Sequence, residues 1–401
     1  MKSESEIVDA MKGDQFAYFY QPKVSLVTGR VIGAEALIRW VKPDGSIVMP
    51  GEFIPVAERS SLIKDVTLHM LPKLMKDMLI LTDVEPLVVS FNTSARDFED
   101  DVFARTLLKT VETSRLAPEA FQVEITESVA LGAGESIRKN IRPLSQAGMG
   151  LAMDDFATGY SSLDTLSKWP FTTIKLDQGM VGRMMASQRN ATIVNSSIRM
   201  AHELGIEVIA EGVEDREQHQ YLLESGCNHI QGFWISRALP LDQFVEFVEQ
   251  DTRWSGLPVG LIHMAVIDHV QWRKQLASSL LRAVSFPRNS SQRLNMNLPA
   301  MECHHCRLGR WYYGEGKMFQ GRPIFQSLEK PHAQVHETGI RLTQMVRDGA
   351  SLKDITPPLR LFAEQSMIVL GLLQDLEDEA LENLHHATGD ENFHLSNYLQ
   401  F

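Results

Sequence analysis

The chain changes its hydrophobic pattern near residue 255. Before that point, short apolar or β-branched runs alternate with longer amphipathic stretches, which predicts strands and helices in repeated alternation. The expected strands are Phe16–Tyr20, Leu87–Phe91, Phe121–Ile125, Gly150–Met153, Thr172–Leu176, Glu207–Ala210 and His229–Phe233, with helices such as Arg189–Leu204 and Asp242–Gln250 between or after them. This number of repeats favours an α/β fold whose parallel sheet closes into a barrel.

The rest of the chain has few strand signals and predicts a small all-α helical-bundle domain. Its expected helices are Asp268–Ala283, Ser327–Asp348 and Pro358–Glu382. We therefore expect a barrel domain at residues 1–254, a linker at 255–261, a helical bundle at 262–384 and a polar tail at 385–401.

Composition narrows the class of partner. The 401 residues are 44% hydrophobic and 22% charged, as in soluble globular proteins, and the net charge of −12 argues against a polymeric nucleic-acid partner. A small anionic ligand stays compatible with this charge if divalent cations lie between ligand and protein. The acidic N-terminus is unlike a signal peptide, no apolar run reaches the ~18 residues of a membrane span, and three cysteines make no disulfide framework. These features predict a cytoplasmic protein.

Acidic and amide side chains follow one predicted strand after another. They are Glu35, Asn92, Glu124, Glu127, Asp154, Asp155, Glu211, Glu214 and Gln231, together with Lys175. Since the carboxyl ends of barrel strands meet at the active site, these groups would converge, and so many carboxylates stay ionised only beside cations. Oxygen ligands suit Mg²⁺ or Mn²⁺. A single Glu at such a position is more often a solvated loop residue, and an Asp pair is common at helix N-termini, but the recurrence favours a metal centre.

The adjacent pair Asp154 and Asp155 is suited to bridging two cations about 3.5–4 Å apart, the arrangement that activates water for phosphoryl chemistry. Lys175 would then polarise the nucleophilic water or offset the developing charge.

Residues from about 7 to 249 resemble the EAL-domain cyclic di-GMP phosphodiesterases. The resemblance is carried by Glu35-Ala36-Leu37, by Tyr20-Gln21-Pro22 before it, by Arg39 after it, and by the ordered set of acidic motifs. It implies a modified TIM (β/α)8 barrel with one antiparallel strand. It also implies hydrolysis of cyclic di-GMP to 5′-pGpG by a two-metal mechanism.

The resemblance also implies roles for residues. One Mg²⁺ or Mn²⁺ would be held by Glu35, Asn92, Glu124 and Asp154, and a second by Asp154, Asp155 and Glu211. The catalytic set would be Lys175, Glu211 and Asp155, and the substrate-binding set Gln21, Leu37, Arg39, Glu214 and Gln231. Glu127 resembles the anchor of a mobile loop that begins at Asp154. Ala157 departs from the family, which usually has glycine there; if the position requires φ > 0, alanine would slow loop closure.

Histidines and cysteines concentrate in the second half. His332 and His336 have i, i+4 spacing on a predicted helix, and His269 and Cys306 complete an N₃S set that suits one Zn²⁺. A histidine pair at this spacing is more often ordinary surface or core. Cys303, His304 and His305 are competing ligands, so any of them, or none, would be the true partner.

Residues from about 262 to 384 resemble the chemoreceptor zinc-binding (CZB) domain, through Cys306-Arg-Leu-Gly-Arg-Trp-Tyr312 and Pro331-His-Ala-Gln-Val-His336. The resemblance implies that His269, Cys306, His332 and His336 bind the zinc and that the bundle regulates the barrel through zinc or through oxidation of the cysteine. Both resembled families imply a homodimer. Two alternatives stay open: a catalytically silent cyclic di-GMP receptor that signals through the bundle, and a bundle that only dimerises and binds no metal.

Overall fold

The computed structural model describes residues 2–132, 134–156, 163–254, 259–288 and 290–388. The chain divides into two compact units, Met1–Leu222 with Cys227–Ser255 and Leu223–Gly226 with Gly256–Phe401. Residues 255–258 of the expected linker and 389–401 of the expected tail lie outside the described residues. Within the described ranges, no helix is both long and apolar enough to cross a bilayer.

The first unit is built on a closed barrel. Its strands are β1 (Phe16–Ser25), β2 (Val31–Val41), β3 (Ile47–Val48), β4 (Val88–Asn92), β5 (Phe121–Thr126), β6 (Gly150–Phe156), β7 (Thr173–Leu176), β8 (Glu207–Ala210), β9 (His229–Ile230) and β10 (Leu239–Pro240). Strands β2 and β4 to β9 pair in parallel, and β1 closes the barrel by pairing antiparallel with both β2 and β9. The predicted modified barrel with one antiparallel strand is confirmed.

Helices surround the barrel. They are α1 (Glu4–Lys12), α2 (Pro50–Arg59), α3 (Leu62–Val84), α4 (Val102–Ser114), α5 (Glu127–Gly132), α6 (Glu135–Gln146), α7 (Leu163–Lys168), α8 (Gln178–Arg183), α9 (Gln188–Leu204), α10 (Arg216–Glu224) and α11 (Leu241–Glu249), with 3₁₀ turns at Ala95–Phe98, Pro118–Ala120 and Met184–Ala186. Local sequence sets their ends. The Ser187 side chain accepts the Asn190 N–H at the start of α9, and Gly205 ends that helix with φ +71°.

Glu35 is an exception to the expectation that each site residue follows a strand. Glu35 lies in the middle of β2, because β2 pairs with β4 only over Gly33–Ala36 and then continues in its antiparallel ladder with β1. The parallel part of β2 therefore stops one residue after Glu35. This brings Glu35 level with Ser90, near the carboxyl end of β4.

The second unit is helical, as predicted. Its helices are α12 (Val259–Val284), α13 (Ser291–Leu294), α14 (Arg307–Tyr313), α15 (Pro323–Ser327), α16 (Glu329–Arg347) and α17 (Leu352–Thr388), with a 3₁₀ turn at Glu315–Phe319. Helices α12, α16 and α17 pack against one another around fully buried Leu276, Leu342 and Leu373.

Helix α17 begins earlier than the expected Pro358. The Ser351 backbone N–H donates to Asp354 Oδ2 over 2.8 Å, and the Asp354 N–H donates back to Ser351 Oγ over 3.4 Å. This reciprocal cap satisfies N–H groups that the first helical turn leaves unpaired, so the helix begins before the prolines. It also continues to Thr388, past the expected start of the tail at 385.

Candidate functional site

A buried lysine lies among four carboxylates at the carboxyl edge of the barrel. The Lys175 ammonium is 2.5 Å from Glu124 Oε2, 2.7 Å from Glu211 Oε1, 3.2 Å from Asp154 Oδ1 and 3.4 Å from Glu35 Oε2. The lysine is 1% exposed. Strands β2, β5, β6 and β7 and the residue after β8 supply these groups, so the structure brings together side chains that sequence analysis assigned to one cavity.

Two amides fix both oxygens of Glu35. Asn92 Nδ2 donates to Glu35 Oε1 over 2.6 Å, and Gln231 Nε2 donates to Glu35 Oε2 over 2.7 Å. Gln231 Nε2 also lies 3.2 Å from Gln21 Oε1, and Gln21 Nε2 donates to the Ser236 carbonyl over 3.2 Å. Gln21, Asn92 and Gln231 therefore form one hydrogen-bonded set with Glu35.

The carboxylates outnumber the positive groups that neutralise them. Burial raises the pKa of Glu211 to about 8 and also raises the pKa of Glu35 and Asp154. Burial likewise opposes ionisation of Glu124, but the ammonium groups of Lys175 and Lys23 outweigh it and lower the Glu124 pKa to about 2. A cluster of oxygen donors that is short of positive charge fits divalent cations of the Mg²⁺ type.

A bulge in β6 shapes the predicted bridging pair. The register between β6 and β7 shifts between Met153 and Phe156, and Asp155 has φ +55°. Successive residues of a regular strand point to opposite faces, whereas a bulge re-aims them. The Asp155 N–H donates to Asp154 Oδ1 over 3.0 Å, which orients the neighbouring carboxylate. Ala157, the departure from the family's loop, lies outside the described residues.

A glycine directly after Glu211 allows the chain to turn at the cluster. Gly212 has φ +65°, and a Cβ there would lie 2.2 Å from Gln178 Cγ. Both the left-handed backbone and the close approach require glycine. The sequence Glu211-Gly212 thus fixes where the Glu211 carboxylate enters the site.

The other predicted residues lie around this cluster or farther from it. Arg39 is 9% exposed, and its Nη1 donates to the Ile38 carbonyl over 2.9 Å. Glu127 is buried at the start of α5. Glu214 is exposed, and its backbone N–H donates to Gln218 Oε1 over 2.8 Å. The role of the Glu214 carboxylate in substrate binding stays a prediction.

A second cluster lies in the helical unit. Cys306, His332 and His336 are buried, and one ligand atom from each lies within 4.8 Å of the others. Cys306 Sγ is 3.3 Å from His332 Nε2. The His336 Nδ1 pairs with the Met301 carbonyl over 2.8 Å, and its Nε2 is buried with no hydrogen-bond partner among the described residues. A sulfur and imidazole nitrogens held in this way fit zinc.

His269 is beside this cluster rather than in it. Its Nε2 is 2.9 Å from Ser366 Oγ, and its ring centroid is 6.4 Å from that of His332. The competing histidines have other neighbours: His304 packs on the Tyr313 ring at 4.2 Å, and His305 Nδ1 is 2.6 Å from Glu302 Oε2.

Two family models match this chain. The sequence model of the EAL domain matches residues 4–238, and that of the chemoreceptor zinc-binding domain matches residues 269–343. The chain belongs to the EAL-domain family.

Named relatives cover the EAL domain. The signaling protein YkoW of Bacillus subtilis is 36% identical over 249 residues, which are 62% of this chain and 31% of YkoW. The cyclic di-GMP phosphodiesterase RocR of Pseudomonas aeruginosa is 33% identical over 248 residues, which are 62% of this chain and 63% of RocR. The chain thus spans less than two thirds of the length of these relatives.

Solved structures share the same fold. The PaMucR phosphodiesterase, in complex with c-di-GMP, has a TM-score of 0.57 and 32% identity, and the match covers 60% of this chain and 98% of that one. An EAL-domain protein from Listeria monocytogenes has a TM-score of 0.55 and 28% identity, covering 61% and 97%.

The EAL domain also has an apolar cavity that sequence analysis missed. It has a volume of about 340 Å³ and reaches Asn92 of the cluster. Apolar residues of β2, α2 and α3 supply most of its lining, among them Leu37, Ile54, Pro55 and Ile63. Leu37 belongs to the predicted substrate-binding set, but Ile54, Pro55 and Ile63 look like ordinary core positions in the sequence, because only the packing of α2 and α3 beside β2 leaves space between them.

Sequence analysis also missed Lys23. It is 3% exposed inside the EAL barrel, and its ammonium is 3.2 Å from Glu124 Oε1. A weak signal was present: Lys23 is two residues after Gln21 on β1, and therefore points to the same face of the strand.

Proposed function

We propose that the EAL domain hydrolyses cyclic di-GMP to linear 5′-pGpG with two divalent cations. The observation that carries the proposal is the convergence of Glu35, Glu124, Asp154 and Glu211 on the Lys175 ammonium. EAL domains use divalent metals, and the PaMucR phosphodiesterase was solved in complex with c-di-GMP.

The ligands divide into two sets that share Asp154. Glu35, Asn92, Glu124 and Asp154 would hold one ion, and Asp154, Asp155 and Glu211 would hold the other. When bound, such ions supply a more acidic water and neutralise phosphate charge.

The protein's own groups then act on the substrate. In the reaction, a water oxygen bonds to phosphorus, the P–O3′ bond breaks, and a proton reaches the 3′ oxygen. Lys175 would orient the water and offset negative charge on the phosphate. Arg39 would bind a phosphate through its planar guanidinium, and the cavity beside Leu37 would take a flat guanine base.

Chromatography of cyclic di-GMP and its products tests this function. Purified protein should form pGpG in Mg²⁺ and none in EDTA. Glu211→Gln, which removes one anionic ligand, should lower turnover by about 100-fold or more. Glu112→Gln is the matched control, because Glu112 is an exposed residue of α4. Nucleotide binding without any product in Mg²⁺ would contradict the proposal and identify a silent receptor.

We further propose that the CZB region holds one Zn²⁺ through Cys306, His332 and His336, with His269 as the fourth ligand, and that zinc occupancy regulates turnover. The proposal is supported by the three buried ligand atoms and by the unpartnered His336 Nε2. His269 would have to exchange its contact with Ser366 for the ion.

Elemental analysis of protein purified without a histidine tag tests the zinc site. About one zinc per chain is expected, and His336→Ala should lose it. His305→Ala is the control, because His305 is an exposed residue paired with Glu302. Zinc-loaded and zinc-stripped protein should differ in turnover. A zinc content of zero would instead favour a bundle that only dimerises.

We also propose that the protein is a homodimer, as both families imply. Sedimentation at micromolar concentration should give twice the chain mass of 45.2 kDa. A sedimenting mass of a single chain would contradict this proposal.

A further inference from the structure

Lys23 is buried inside the barrel beside the carboxylate cluster, and its ammonium contacts three polar side chains. Ser90 Oγ is 2.5 Å away, Glu124 Oε1 is 3.2 Å away, and Gln122 Oε1 is 3.5 Å away. Ser90 is fully buried. In turn, Gln122 Nε2 donates to Thr173 Oγ1 over 2.8 Å, which fixes the amide that faces Lys23. The ammonium is therefore held in place from several strands.

The two oxygens of Glu124 consequently have different neighbours. Oε1 lies against Lys23, whereas Oε2 lies 2.5 Å from Lys175, the residue at the centre of the cluster. Glu124 is completely buried. Oε2 shares the Lys175 ammonium with the Glu35 and Asp154 carboxylates, whereas Oε1 is paired with Lys23.

The number of oxygens that a carboxylate gives to a cation depends on the cation. Mg²⁺ requires near-octahedral coordination at short distances, which single carboxylate oxygens provide. Ca²⁺ accepts more ligands at longer distances and commonly takes both oxygens of one carboxylate. A partner that holds one carboxylate oxygen away from the ion therefore disfavours Ca²⁺ more than Mg²⁺.

We propose that Lys23 is a positioning residue that restricts Glu124 to one-oxygen coordination, and thereby biases the metal centre toward Mg²⁺ or Mn²⁺ and against Ca²⁺. The inference rests on the proposed two-metal function. It gives Lys23 a role in ion selectivity that is separate from contact with substrate.

Calorimetric titration of the full-length, metal-free protein with Mg²⁺, Mn²⁺ and Ca²⁺ tests the inference without measuring activity. Lys23→Met removes the ammonium and frees Oε1, so the ratio of Ca²⁺ affinity to Mg²⁺ affinity should rise about tenfold or more, the effect of losing one hydrogen bond to a charged group. Lys23→Arg keeps a cation beside Oε1, and its ratio should stay near that of the wild type. Lys109→Met is the matched control, because it makes the same substitution at an exposed residue of α4 outside the carboxylate cluster, and its ratio should stay at the wild-type value.

The outcomes separate the inference from the function on which it rests. A folded Lys23→Met protein with an unchanged ratio overturns the role of Lys23 while the metal centre stands. A wild-type protein that binds none of the three ions overturns both. If Lys23→Met fails to fold, Ser90→Ala is the second variant, because it loosens Lys23 while keeping its charge. The ratio of Ca²⁺ affinity to Mg²⁺ affinity should then also rise. An unchanged ratio in Ser90→Ala overturns the inference.

Discussion

Replacing Lys175 by methionine should destabilise the metal-free EAL domain strongly and the metal-bound domain much less. The substitution keeps most of the side-chain volume but removes the ammonium that contacts Glu35, Glu124, Asp154 and Glu211. Because the lysine is 1% exposed, water does not replace the lost contacts. The four carboxylates then repel one another.

The size of the destabilisation follows from the burial of Lys175 and the carboxylates that it contacts. Removing one partner of a buried ion pair costs about 3–5 kcal/mol. For a unit of this size, each kcal/mol shifts the unfolding temperature by about 2–4 °C, so the transition should fall by about 6–20 °C in EDTA. The loss should grow with pH, because carboxyl groups such as Glu211, whose pKa burial raises to about 8, replace part of the missing charge by binding protons at lower pH.

Scanning calorimetry in EDTA and in saturating Mg²⁺ measures both effects. Mg²⁺ should restore at least half of the stability that Lys175→Met loses, because the ions neutralise the carboxylates. In this variant, no ammonium repels the ions. Lys109→Met is the control: Lys109 is exposed on α4, and its loss should change stability by less than about 0.5 kcal/mol. Lys175→Met should have no turnover of cyclic di-GMP, either in EDTA or in saturating Mg²⁺.

Equal stability of Lys175→Met and wild type in EDTA would refute the reasoning, since it would mean that the four carboxylates need no cation. If Mg²⁺ stabilises Lys175→Met and the wild type equally, the claim that the ions and Lys175 neutralise the same carboxylates is refuted.

Three further predictions concern the cavity, a backbone turn and acid stability. Ile54→Trp should fill part of the cavity and raise the KM for cyclic di-GMP about tenfold with kcat nearly unchanged, while hydrolysis of a small phosphodiester without a base stays the same. Gly212→Ala should lower kcat at least about tenfold by displacing the Glu211 carboxylate, and Gly182→Ala, whose Cβ would meet open space, should not. Burial lowers the pKa of His219 to about 4, so its neutral form is favoured in the folded state and this residue should contribute about 2 kcal/mol to the fall in the free energy of unfolding between pH 7 and pH 5. His219→Gln should remove that contribution in urea unfolding, and an unchanged slope would exclude His219 as a source of the dependence.

Much of the barrel and its carboxylate cluster was predictable from the sequence, because strand periodicity and strand-end positions are local properties. Asn92, Asp154 and Glu211 each lie at or near the end of a strand that the pattern predicted. Glu35 did not follow this rule, since the length of β2 depends on its antiparallel partner β1.

Features that depend on distant partners were not predictable. The contact between Lys23 and Glu124 joins residues 101 positions apart, and that between His269 and Ser366 joins residues 97 apart. Neither spacing has a periodic signature. The cavity beside Leu37 likewise requires knowledge of how α2 and α3 pack, which no local pattern contains.

The reversed strand β1 has a consequence for how the protein folds during synthesis. Its ladder with β2 is local and can form as soon as the first 41 residues are available, but its pairing with β9 and β10 waits for residues 229–240. The contact between Gln21 and Gln231 spans 210 positions. Contacts of such separation form late, because loop closure must precede them. A nascent chain shorter than this therefore exposes an open sheet with unpaired edges, and the contacts of Gln231 with Gln21 and Glu35 form only when β9 closes the barrel.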